Sequence, residues 1–105
     1  MKTLNFIVNE KNPLGIWSHD VYQHKMPSDS TETLAQVAAG VANAAIRLGA
    51  EQVDVLEVLG KHTLPELRFL SNASFPYQFR IYQNLIGHRW TFKADDFISD
   101  REGGD

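Results

Sequence analysis

The residues best equipped for chemistry lie early in the chain, in His19-Asp20-x-x-x-His24. Imidazole and carboxylate groups can serve as general base and orienting acid, or as ligands for zinc or iron. On a helix, Asp20 and His24 would sit one turn apart on a shared face. His19, Asp20 and His24 are therefore the candidate catalytic residues. His19 and His24 are weak metal candidates that His62 or His88 could join, but two ligands do not make a centre, so no metal is expected. The plainer reading sets both histidines in water while Trp17 and Tyr22 pin an ordered loop to the core.

Two further groups could hold a ligand. Eight of the eleven aromatic residues fall between Phe69 and Phe97. Aromatics at element spacing are core residues first, yet Tyr77, Tyr82 and Trp90 also carry polar handles. Arg68 and Arg89, read as projecting from the back of a sheet, could hold an anion there. The candidate ligand-binding residues are Trp17, Tyr22, Arg68, Tyr82, Arg89 and Trp90. A solvated face of ion pairs explains the arginines equally well. No G-x-S-x-G, Walker A or G-x-G-x-x-G pattern occurs. The absence of cysteine excludes disulfides, zinc–thiolate centres and thiol catalysis.

The elements that must position these residues are organised around the stretch 29–59. Asp29-Ser30-Thr31-Glu32 has the form of a capping box. Leu34, Val37, Ala38, Val41, Ala45 and Leu48 then mark one helical face, Arg47 suits the last turn, and Gly49 is a stop. A helix over 31–48 follows. Its outer face carries no charge between Glu32 and Arg47, which predicts a covered helix or one that meets a partner. Gly40 in mid-helix points to close packing. Val53 to Leu59 is rich in β-branched residues and reads as a strand.

Ahead of this stretch, Thr3–Asn9 alternates Leu4, Phe6 and Val8 against Asn5, Ile7 and Asn9, a first strand. Residues 11–15 are turn chemistry, and 16–26 fits a short helical turn or an ordered loop. Beyond it, 61–70 reads as a strand with Leu67 and Phe69 inward, and 71–74 as a break. Phe75, Phe79, Tyr82 and Ile86 recur at helical spacing, although 75–81 also alternates as a strand would. His88–Ala94 is a final strand. The order β-α-β-β-α-β, with a long insertion after the first strand, is that of an α+β ferredoxin-like two-layer sandwich. One domain over 1–98 and a flexible acidic tail over 99–105 are expected.

The net charge of −3 belongs mostly to the end of the chain: 95–105 sums to −4, leaving the rest at +1. No basic run occurs, so nucleic acid is not expected as a partner. The longest uncharged run, 33–46, is too short for a bilayer span. With Asn5, Asn9 and Glu10 interrupting any leader-like stretch, a cytoplasmic protein is expected. These features favour a homodimeric small-molecule-binding or structural protein that needs no cofactor. The alternatives are a small enzyme of the dimeric α+β-barrel type with a His/aromatic cleft, and a protein–protein interaction module.

Overall fold

The computed structural model describes residues 2–75 and 83–95, and in it strand β1 (Lys2–Lys11) is buried at every position from Leu4 to Asn9. Side chains alternate across a strand, so unbroken burial means cover on both faces. β1 turns back through 12–16 into β2 (Trp17–Met26). There Asn12 Oδ1 accepts from the N–H groups of Leu14 and Ile16 at 2.9 and 3.0 Å. Strand β3 (Gln52–Val58) pairs along the other edge of β1, and β4 (Ile86–Lys93) pairs with β3. The sheet order is β2-β1-β3-β4, antiparallel at every step.

Helix α1 (Leu34–Arg47) crosses from β2 to β3 over one face. Its Val37, Ala38, Ala42 and Ala45 pack on Phe6, Val8, Val53 and Val55. Full burial of a side chain such as Phe6 or Val55 contributes roughly 1.5–3 kcal/mol. Helix α2 (Leu64–Ser74) covers the opposite face, where Leu67 meets Ile7, Leu56 and Val58. The chain is thus a small α+β protein with a four-stranded antiparallel sheet between two helices.

Several expectations change here. The segment 16–26 is neither helical turn nor loop but the edge strand β2. Its alternation is hard to see because both of its faces are rich in polar residues. The strand expected over 61–70, and the break at 71–74, are instead α2. The signal was Thr63-x-x-Glu66: Thr63 Oγ1 accepts from Glu66 N–H at 3.3 Å, and Glu66 Oε1 accepts from Thr63 N–H at 2.8 Å. Pro65 stands in the first turn, where its missing N–H is harmless. Helical winding buries Leu67 and turns Phe69, expected inward, to 64% exposure.

The observed order is β-β-α-β-α-β. A ferredoxin-like sandwich keeps both helices on one face; here they lie on opposite faces, so neither face is the open back that was expected. Helix α1 begins three residues later than its expected start. Its capping box is Thr33 with Gln36, not the 29–32 tetrad. Gly49 ends it as predicted, at φ 113° with Ala50 N–H donating to Ala45 O at 3.2 Å. Phe75 caps α2 and Gln83–Leu85 is a 3-10 turn leading into β4. The rest of the helix expected over 74–86, and the tail 99–105, lie outside the described residues.

Candidate functional site: a groove beside the first helix

The two helices are offset in opposite directions. Helix α1 packs over β3 and β4, whereas α2 packs over β2 and β1. The part of the α1-bearing face formed by β2 is therefore left uncovered, and a groove of about 370 Å³ runs between it and the helix. Cross-strand register puts Asp20 beside Val8, Tyr22 beside Phe6 and His24 beside Leu4. These three alternate residues line the uncovered strip. Val8, Val37, Val41 and Ala45 make the apolar wall, while Glu10 and Glu32 stand with Asp20 at the polar edge.

The groove holds an ordered polar chain. Glu32 Oε1 accepts from His24 Nε2–H at 3.2 Å. With the imidazole neutral, its Nδ1 lone pair is left to accept from the Tyr22 hydroxyl at 3.3 Å. A carboxylate thus orients an imidazole, which in turn faces a phenol, the order in which a general base is set up. Tyr22 also lies over Phe6, with ring centroids 6.4 Å apart. Burial, and then repulsion from Asp20, hold the Glu10 carboxyl above the ordinary carboxylate range. Among the described residues no lysine or arginine lines the groove.

Asp20 and His24 share a face, through the alternation of a strand and not the helical turn that was considered, and Tyr22 stands between them. His19 does not join them, because the alternation of β2 sends it to the opposite face. There its Nδ1 lies 2.6 Å from Ser71 Oγ and its ring stacks on Phe75 at 4.5 Å. A serine hydrogen-bonded to a histidine is the chemistry of an acyl-transfer nucleophile. Ser71, however, is 1% exposed, so no substrate carbonyl reaches it, and the pair ties the edge strand to α2.

The other candidates are dispersed. Trp17 lies at the start of β2 with Lys11 Nζ 6.0 Å from its ring. Arg68 is on α2 beside a small cleft with His19 and Ser71. Arg89 and Trp90 sit on β4, far across the sheet from β2. Tyr82 lies outside the described residues. His62 donates Nε2–H to Leu59 O at 2.8 Å, and His88 Nδ1 bonds Glu57 at 2.8 Å. Neither approaches the groove. Among the described residues no three His, Cys, Asp or Glu gather as metal ligands would, and no helix is long and apolar enough to cross a membrane.

Glu10, Glu32 and Gln36 were missed by sequence reading. Glu10 had a signal of sorts, a lone acid closing an apolar alternation; Glu32 had been taken for a helix cap. Comparison with models of known families, with curated proteins and with solved structures found no match.

Proposed function

We propose that this is a small-molecule-binding protein whose ligand has an apolar body and a basic nitrogen. What carries the reading is the groove itself: an apolar wall on one side, and on the other Glu10, Asp20 and Glu32, with no lysine or arginine among the described residues that line it. Its volume of about 370 Å³ lies within the roughly 300–1,000 Å³ of small-molecule sites. An ammonium group seated between Glu10 and Asp20 relieves their mutual repulsion, while the hydrocarbon covers Val37 and Val41. Affinity then has two sources, charge and buried area, and each can be removed separately.

The direct experiment compares octylamine with octanol by thermal shift. The amine is expected to raise the melting temperature, since a ligand that binds only the folded state stabilises it. Equal effects of amine and alcohol would show that the carboxylates play no part.

Self-association belongs to the same reading. Gly40, Ala44 and Leu48 form an exposed row along α1, and Leu48 is 90% exposed. An uncharged row of this kind suits a second copy. Sedimentation should then give twice the chain mass of 11.9 kDa, and a monomer at tens of micromolar would remove this part of the proposal.

The Glu32–His24–Tyr22 chain favours a second reading, an enzyme with His24 as general base. In that case His24→Asn abolishes turnover and leaves amine binding intact. Loss of both together would place His24 in the ligand's seat.

A further inference from the structure

Behind the same stretch of β2, on the side of the sheet that carries α2, lies a second concavity of about 590 Å³. Lys2, Lys25 and Lys61 line it together with His62, Asn5 and Gln23, and among the described residues no carboxylate does. Among the described residues none of these three lysines forms a salt bridge. Three exposed ammonium groups around one hollow stand out in a chain of net charge −3, because a bound anion would be attracted by all three at once.

The hollow is built. Gln23 Nε2 donates to Asn5 Oδ1 at 2.9 Å and to His62 O at 2.8 Å. Asn5 Nδ2 donates to Gly60 O at 3.0 Å, and Asn5 is 3% exposed. These bonds clamp the loop that bears Lys61 onto the β1–β2 edge that bears Lys2 and Lys25. The backbone that bears the lysines is thus fixed before any ligand arrives, which lowers the ordering cost of binding.

We propose that this hollow binds the phosphate of a small phosphorylated molecule, seated between Lys25 and Lys61 with Lys2 at its rim. Lysine ammonium groups act as point charges toward phosphate and accept it in several orientations. The charges form one compact pocket and not a stripe, which fits a small molecule and not a nucleic-acid backbone. The site lies apart from the acidic groove and is independent of the function proposed there.

Inorganic pyrophosphate, titrated into the full chain by calorimetry and followed by amide chemical shifts, tests the site. Lys25→Glu and Lys61→Glu are each expected to weaken binding at least tenfold, about 1.4 kcal/mol. Arg47→Glu, the same charge change at the end of α1, should weaken it less than about twofold, as a distant screened charge does. Shift changes should centre on Asn5, Gln23, Lys25, Lys61 and His62. Equal weakening by all three variants would mean diffuse attraction only, and would overturn the proposal. So would shift changes centred elsewhere, or no binding at low salt. Lys25→Gln guards against misfolding of the reversal: it should keep the fold and still weaken binding measurably, and unchanged affinity would contradict the site.

Discussion

Glu10 shows how a single side chain links the groove to stability. Burial, and after it Asp20, raise its pKa above the ordinary value of 4.5, so the folded chain holds this proton more tightly than the unfolded chain does. Stability is therefore undiminished below 4.5 and falls as pH rises from there through the raised value. Glu10→Gln should stabilise the protein near about pH 7, with the gain vanishing near about pH 4; urea melts at both would show it. A gain of equal size at both would mean that ionisation is not the cause. Ser71 presents the opposite case, a buried hydroxyl already satisfied by His19 at 2.6 Å. Ser71→Ala should cost about 1–3 kcal/mol, the loss expected when a partly buried donor or acceptor loses its partner. A loss within experimental error would show that the contact between β2 and α2 does not depend on this hydrogen bond.

Elements were legible where apolar residues recur at a regular spacing or in a β-branched run. The body of α1 shows this at helical spacing, β1 through Leu4, Phe6 and Val8, β3 through its valines, and β4 through Trp90 and Phe92. Strand β2 was not, since an edge strand whose one side lines a wet groove presents His24, Tyr22 and Asp20 where a core strand has valine. Helix α2 was read as a strand because Leu67 and Phe69 alternate, although its capping pair was in plain view.

Gly40 makes a separate point. Close packing was its expected reason, yet a Cβ there would meet nothing within 4 Å. Gly40→Ala should thus gain roughly 1 kcal/mol of helix propensity in a monomer. If the α1 row is a dimer contact, the added methyl should instead weaken association, so melting and sedimentation of this variant together separate the two.

Gly87 has a packing reason. A Cβ there would come within 2.5 Å of Glu57 Oε1 and 2.8 Å of Leu59 Cδ2. The same Glu57 oxygen accepts from His88 N–H at 3.2 Å, where the β3–β4 register shifts between Leu56 and Val58. Both atoms end flexible side chains, so Gly87→Ala should cost only about 1 kcal/mol, mostly as Glu57 gives up its bond to His88 N–H. A neutral result in chemical melts would show that Glu57 swings aside freely.

At the scale of the whole molecule, the acidic groove follows from the opposed offset of two helices on one sheet, and the cationic hollow from the loop before α2 folding against β1 and β2. Sequence patterns report which face of an element is apolar, but not where along the sheet a helix comes to rest. That is why Asp20, Tyr22 and His24 could be named as candidates while Glu10 and Glu32 could not. It is also why the cationic hollow was invisible: Lys2, Lys25 and Lys61 are scattered along the chain, and no basic run betrays them. Amide shift mapping with octylamine tests the acidic groove as an amine site. Changes should be confined to Val8, Glu10, Asp20, Tyr22, Val37 and Val41, and be greatly reduced in Glu10→Gln/Asp20→Asn. Changes scattered over the surface, or undiminished in that double variant, would contradict it.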